Sequence, residues 1–275
     1  MSNQALGGRI AVVTGASAGI GEAISRAIAA QGARVVINAR RKERLDTLAR
    51  ELGGAERAAS VAGDAADAAT IETCLNTARD RFGGGTKEAD LVVVNAGRGL
   101  RGSVYDSDAA KWEDIFRVNL LSAARLMRAA AERMAGPVPV VQGAPQPSAA
   151  PQPAAGWLTH PRDIVVLGST VGRHISPFSS LYGSAKAGVH MLAESLRRLM
   201  APRGVRVTLV EPGIVKSEFQ ESANYDPVTF GKFMDSISPV LTPEDVARVV
   251  LFVVSQPAGV HINDVMMRPT RQEYP

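Results

Sequence analysis

Arg9-Ile10-Ala11-Val12-Val13-Thr14-Gly15-Ala16-Ser17-Ala18-Gly19-Ile20-Gly21 decides the fold of this chain. Arg9 to Val13 is a short, largely β-branched run that reads as a buried strand, and it passes directly into a glycine-rich turn. Beyond the turn, Ile20, Ala23, Ile24, Ala27 and Ile28 recur at helical spacing as far as Gln31-Gly32. The glycines therefore stand where a strand hands over to a helix. Without Cβ atoms they let backbone N–H groups approach an anion, whose charge the helix N-terminus favours. A pyrophosphate suits such a turn, and a turn that is merely tight is the plain alternative. The spacing is GxxxGxG, not GxGxxG.

Working outward, strands alternate with helices along the chain. Strands are expected at about 10–14, 34–38, 56–61, 90–94, 164–168, 205–210 and 263–268, and helices at about 20–31, 41–52, 67–82, 108–135, 180–201 and 243–255. This alternation predicts a doubly wound, seven-stranded parallel sheet with helices on both faces, of Rossmann type, in a single domain spanning 1–275. Right-handed crossovers bring the loops at the carboxyl ends of the strands to one edge. Thr242-Pro243-Glu244-Asp245 is a helix start with Thr242 as N-cap. Gly136 to Arg162 breaks the pattern: it is rich in Pro, Ala, Gln and Gly, and reads as a flexible insertion at about 137–160, with the role of Trp157 open.

Leu181-Tyr182-Gly183-Ser184-Ala185-Lys186 carries the chemistry. Four-residue spacing stacks a phenol beside an ammonium on one helix face. A fixed cation favours phenolate and draws the tyrosine pKa from its usual value of about 10 toward the range useful for acid-base catalysis.

Taken with TGxxxGxG at Thr14 to Gly21 and with Asn95-Ala96-Gly97 after the fourth strand, this YxxxK resembles the short-chain dehydrogenase/reductase family over nearly the whole chain. Asn119 in a long helix, Ser169 closing a strand 13 positions before Tyr182, and Pro212-Gly213-Ile214-Val215 also fit its pattern. The resemblance implies hydride transfer between a nicotinamide and a carbonyl carbon. Tyr182 would be the general acid, Ser169 the donor that polarises the carbonyl oxygen, Lys186 the group that lowers the phenol pKa and binds the nicotinamide ribose, and Asn119 the holder of a water relaying protons to Lys186. Singly, Ser169 could instead satisfy a strand-end N–H, and Asn119 a kinked helix.

The cofactor positions implied by the family are Gly15, Ser17, Gly19, Ile20, Gly21, Arg40, Arg41, Asp64, Ala65, Asn95, Ala96, Gly97, Tyr182, Lys186, Pro212, Gly213, Val215 and Ser217. Where the family has an acid that repels a 2′-phosphate, this chain has Ala39, followed by Arg40 and Arg41; a guanidinium holds phosphate well, which favours NADP(H). Solvated arginines opening a helix are the alternative, and Asp64 could be a helix cap. The family's other basic position is Ala18, the doubled asparagine is Val94-Asn95, and Ser217 replaces a common threonine. Val260 to Thr270 and Gly168-Ser169-Thr170 resemble the branch of NADP-dependent 3-hydroxy acid and serine dehydrogenases.

Substrate-wall candidates are Arg98, Leu100, Arg101, Val171, Arg173, His174, Phe178, Leu181 and Phe219, with Arg98, Arg101 or Arg173 the candidate anchors for a carboxylate. His174 has no cluster at metal-ligand spacing, so no metal is expected. The net charge of +4 is spread without an aromatic stripe, which speaks against nucleic acid and suits an anionic cofactor. No apolar run approaches the roughly 18 residues of a membrane span. The lone Cys74 and the polar opening Met1-Ser2-Asn3-Gln4 point to the cytoplasm. A homo-oligomer, tetramer or dimer, is expected through the helices at 108–135 and 180–201, with Leu120, Leu121, Ala124, Met127, Leu192, Leu196 and Leu199 in the core or that interface. The expected partner is a small carbonyl or hydroxyl substrate. The alternatives are a 3-oxoacyl-carrier reductase and a non-catalytic NADP(H)-sensing protein.

Overall fold

Seven parallel strands run side by side in the order β3-β2-β1-β4-β5-β6-β7. They are β1 Ile10–Thr14, β2 Arg34–Ala39, β3 Ala58–Ala62, β4 Leu91–Val94, β5 Arg162–Leu167, β6 Val205–Pro212 and β7 Asp264–Met267. The computed structural model describes residues 4–135, 160–174 and 176–273. The insertion expected at about 137–160, with Trp157, lies outside the described residues but for His160.

Register aligns Val12 with Val36 on one side and Val92 on the other, and Val92 with Ile164. All five residues of β1 and all four of β4 are buried, as expected for a sheet covered on both faces. Alternation along β1 then feeds two cores. Ala11 and Val13 join Ile24, Ile28, Val246 and Val250, from α1 Gly19–Ala30 and α9 Pro243–Val254. Ile10 and Val12 join Ile71, Leu75, Leu126, Met127 and Val189, from α3 Ala68–Thr77, α5 Ser122–Ala135 and α6 Ser180–Met200. Each buried Val, Leu, Ile or Met among these contributes about 1.5–3 kcal/mol by leaving water, so the two layers fix the sheet firmly.

The amino edge of the sheet is tied by charge. Arg9 bridges Asp90 at 3.1 Å and Asp163 at 2.8 Å, and Arg206 holds Asp163 at 2.6 Å. The carboxyl edge carries the loops. Strand order reverses between β1 and β4, and a crevice opens there.

Three elements differ from their expected form. The helix expected at 108–135 is divided into a tight turn at Ala109–Lys111, α4 Trp112–Phe116, a wide π turn at Arg117–Leu121, and α5. Within the wide turn Asn119 Nδ2 donates to the Ile115 carbonyl four residues back at 3.0 Å, and the Ser122 hydroxyl does the same to Val118, so side chains take acceptors that a regular helix reserves for its own N–H groups. Likewise α3 ends at Thr77 and continues to Phe82 as a second wide turn. Between β6 and α9 the chain forms α7 Phe219–Ser222 and α8 Pro227–Ser236, neither of them expected. The remaining helix, α2, spans Lys42–Glu51. Thr242 caps α9 as expected, and Asp245 returns the bond in a capping box.

Candidate active site

The glycine-rich turn is shaped by close approach of backbone to backbone. Gly15 and Gly19 have φ of +68° and +57°, in the left-handed region that favours glycine. A Cβ on Gly21 would stand 2.4 Å from the Gly15 carbonyl oxygen and 2.5 Å from Asn95 Nδ2, so only glycine lets α1 start this close to the β4 loop. That loop is bound to β1. Thr14 Oγ1 accepts the N–H groups of Asn95 and Ala96, each at 3.2 Å, and Asn95 Nδ2 donates to the Thr14 carbonyl at 2.9 Å. Thr14 thus joins the two sides of the crevice, a role the sequence reading did not assign.

A cleft of about 380 Å³ follows this crevice. Gly15, Ser17, Gly19, Ile20, Gly21, Arg40, Arg41, Asp64, Ala65, Asn95, Ala96, Gly97, Asn119, Tyr182, Lys186, Pro212 and Ser217 all line it. A dinucleotide fits these residues. The N-cap of α1 is Ala18, which offers no side-chain acceptor, so the first-turn N–H donors stay open toward the cleft. At the other end Arg40 is exposed and, among the described residues, makes no hydrogen bond or ion pair. Arg41 is more committed: its Nε donates to Ser17 Oγ at 3.1 Å and its Nη1 to Glu218 Oε2 at 2.8 Å. Asp64 does not cap α3, whose N-cap is Asp67. It accepts the Ala66 N–H and the Arg117 guanidinium, each at 2.9 Å; burial works against its charge, but these donors prevail and hold its carboxyl below the usual range.

A second cleft of about 660 Å³ adjoins the first. Gly213 and Val215 line this one rather than the cofactor cleft, as does Ser169. The two share Ile20, Gly168, Tyr182, Pro212, Ser217 and Phe219, so the Tyr182 phenol stands where they meet. Phe219 packs on its ring at 5.4 Å, tilted.

Around the phenol, burial decides the proton. It raises the Tyr182 pKa well above the usual tyrosine value, while a hydrogen bond with Ser169 pulls the other way. The same burial pushes Lys186 down to about 8. Lys186 Nζ donates to the Leu167 carbonyl at 2.7 Å and lies 5.8 Å from the Tyr182 ring centroid. Burial thus disfavours phenolate, and the neutral phenol, the form that can donate, is held.

Asn119 makes three side-chain hydrogen bonds. Its Nδ2 donates to the Arg98 carbonyl at 2.9 Å as well as to Ile115, and its Oδ1 accepts the Arg98 N–H at 3.1 Å. It braces the loop after β4 against the wide helical turn. Gly97 is the residue that admits it, since a Cβ there would lie 2.7 Å from Asn119 Oδ1.

Beneath Ser169 lies a cluster that sequence reasoning missed. The Ser169 N–H donates to His190 Nε2 at 3.2 Å. His190 Nδ1 stands 3.6 Å from Glu211 Oε2, and fully buried Glu211 is gripped by Arg173 in a fork, with Nε–Oε2 at 2.8 Å. Glycines make the room: a Cβ on either Gly168 or Gly172 would stand 2.4 Å from the His190 ring. Burial first, then the Lys186 and Arg173 charges, push His190 down to about 4, so it is neutral and able to accept.

The substrate-wall candidates divide. Arg101, Val171, Phe178 and Phe219 line the second cleft. Arg98 faces the cofactor cleft and pairs with Asp114, and Arg173 serves Glu211, so neither reaches a substrate there. Leu100 and Leu181 pack with Ile115 and Ala185 in a small core, and His174 is exposed outside both clefts. Tyr225, Phe230 and Phe233 complete the wall; they sit on the segment whose helices were not anticipated.

Comparison with known proteins agrees with this geometry. The short chain dehydrogenase family model matches residues 9–141 and 159–227. An uncharacterized oxidoreductase of Staphylococcus aureus (strain MW2) is 29% identical over 261 residues, covering 95% of this chain and 97% of its own. Among solved structures, the closed form of a serine dehydrogenase complexed with NADP+ superposes with a TM-score of 0.80 at 30% identity, covering 96% of each chain. An alcohol dehydrogenase from the archaeon Thermococcus sibiricus, complexed with 5-hydroxy-NADP, gives 0.75 at 25% identity, covering 96% of this chain and 98% of its own. The chain belongs to the short-chain dehydrogenase family, whose oxidoreductases use a nicotinamide cofactor.

Proposed function

We propose that this protein is an NADP(H)-dependent carbonyl reductase, reversible as an alcohol dehydrogenase, with Tyr182 as general acid and base. The observation that carries the reading is the position of Tyr182 on the wall shared by the cleft at the glycine-rich turn and a second, largely apolar one that Ser169 also lines. When bound, the nicotinamide supplies the hydride. The carbonyl carbon accepts it with both electrons, the oxygen takes the Tyr182 proton, and a secondary alcohol leaves. Ser169 donates to that oxygen as its charge grows. Lys186, fixed on the Leu167 carbonyl, holds its ammonium beside the ring and orients the ribose. Asn119 fixes the loop that borders the cofactor cleft and is the proposed station for water on the proton path. Preference for NADP(H) is supported by Ala39, by the uncommitted guanidinium of Arg40, and by the NADP-type ligands of the two similar structures.

The same reading takes the enzyme to be a cytoplasmic homo-oligomer acting on a small molecule. Its one cysteine, Cys74, is buried and free, and no helix among the described residues is long and apolar enough to cross a membrane. Oxidation of NADPH across a panel of aldehydes, ketones and 3-oxo acids tests the proposal. Turnover of carrier-linked substrates alone would favour a 3-oxoacyl-carrier reductase, and no turnover at all would favour a cofactor-sensing protein.

A further inference from the structure

We infer that the second cleft selects an uncharged, bulky carbonyl compound with an aryl group, and disfavours an oxo acid or an amino acid. The inference rests on Tyr182 acting as the proton donor at the head of that cleft.

Size is the first argument. About 660 Å³, which a substrate would share with the nicotinamide end of the cofactor at Pro212, Gly213, Val215 and Ser217, lies within the range of pockets that enclose molecules of drug size. The wall is the second. Tyr225 and Phe230 stack with ring centroids 4.5 Å apart, Phe233 tilts against Phe230 at 5.8 Å, and Phe219 packs on the Tyr182 ring at 5.4 Å. None of the residues of α8 is buried, so its apolar side chains do not serve the core; Phe230 and Phe233 line the cleft instead. Aromatic faces arranged at these distances offer edge and face contacts to a further ring.

Charge is the third argument, and it decides between ligand classes. Among the described residues the charged side chains lining the cleft are one cation, Arg101, and two anions, Asp106 and Asp226. Both carboxylates are fixed as acceptors. Asp106 takes the Ser103 hydroxyl at 2.5 Å and the Ser103 N–H at 2.6 Å, and Asp226 caps α8 by accepting the Thr229 N–H at 2.7 Å. These bonds hold both pKa values below the usual range, so the anions persist at neutral pH. Arg101 stands in the field of both, which offsets its pull on a carboxylate. A carboxylate entering the cleft would meet two fixed anions for one cation, and Arg98 and Arg173 are committed elsewhere.

An ester and its own acid separate charge from shape. With the full chain and saturating NADPH, ethyl benzoylacetate should be reduced with a kcat/KM at least about tenfold above that of benzoylacetate, the penalty expected for like charges brought together. Asp106→Asn combined with Asp226→Asn keeps both acceptors and the helix cap, and should shrink that ratio toward one. Phe230→Ala should raise KM for ethyl benzoylacetate about tenfold more than for ethyl acetoacetate, which has no ring to lose contact. Acid turned over as well as ester, serine oxidised better than an aryl alcohol, or a ratio unmoved by the double variant would overturn the inference while leaving the hydride-transfer reading intact. Silence of every carbonyl would remove that reading, and the inference with it.

Discussion

Tyr182 can be an acid because its surroundings keep it neutral: burial holds the proton on the phenol, and Ser169 orients it. Tyr182→Phe keeps the ring against Phe219 but has no proton to give. It should lower kcat by roughly 10²–10⁴-fold with cofactor affinity little changed, as single-turnover rates and NADPH fluorescence titration would show. Arg40 is the second decisive residue. Replacing Ala39 by Asp and Arg40 by Ala removes a charge-assisted bond worth about 1.5–3 kcal/mol, roughly 10- to 150-fold, and sets an anion beside the ribose. The ratio of kcat/KM for NADPH to that for NADH should fall accordingly; a ratio that barely moves would make Arg40 an ordinary surface arginine. His190 matters for stability with pH. Its pKa falls from about 6.5 unfolded to about 4 folded, so between those values the unfolded chain binds more protons, and stability is full above about 6.5 and declines as pH falls toward 4. About 2 kcal/mol should disappear between pH 7 and pH 5 on this account. His190→Gln still offers Ser169 an acceptor and does not titrate, so its urea midpoint should drop less over that interval; parallel curves would rule the histidine out.

At the scale of elements, legibility followed burial. Six of the seven strands were readable as buried runs closed by a turn, β7, none of whose residues is buried, by its apolar Val265-Met266-Met267, and α1, α6 and α9 because one face of each is core. The helix α8 was not, because none of its residues is buried and its Phe230 and Phe233 face a cleft, so no core-facing stripe marks it. The wide turn at Arg117–Leu121 was hidden for another reason: it depends on Asn119 bonding to Arg98, far away along the chain. The His190–Glu211–Arg173 cluster is equally long-range, and only its glycines, Gly168 and Gly172, could have hinted at a close approach. Tyr182, Lys186 and the glycines were legible because their spacing is local. The insertion gives a prediction of its own. Arg162, at the amino end of β5, donates to the Met134 carbonyl at 2.6 Å and the Arg203 carbonyl at 2.7 Å, so the described chain on either side of the insertion is held together away from the clefts. Replacing residues 141–156 by a short Gly/Ser link should leave kcat/KM within about twofold, since closure cost changes slowly with length. Loss of turnover, or of the oligomer, would assign the segment a working role.

For the whole molecule, the folded chain separates side chains that the sequence could not. Met127 is buried in the core, and Leu120 and Leu196 pack against it. Leu121, Leu192 and Leu199 remain 46%, 39% and 40% exposed, with Met191 at 72%, on the outer side of the same helical layer. Leaving aliphatic side chains of this size in water forgoes about 25 cal/mol for every Å² of apolar surface, and a self-complementary pairing of the layer about a two-fold axis would recover it. Light scattering at micromolar concentration should therefore give a mass that is a multiple of the chain, a dimer or a tetramer. Leu121→Arg combined with Leu192→Arg puts like charges into that pairing and should shift the mass toward the monomer, while far-UV circular dichroism stays that of a folded α/β protein because neither side chain serves the core. A wild-type chain that is monomeric at that concentration would remove the proposed assembly, and these leucines would then be ordinary exposed apolar residues.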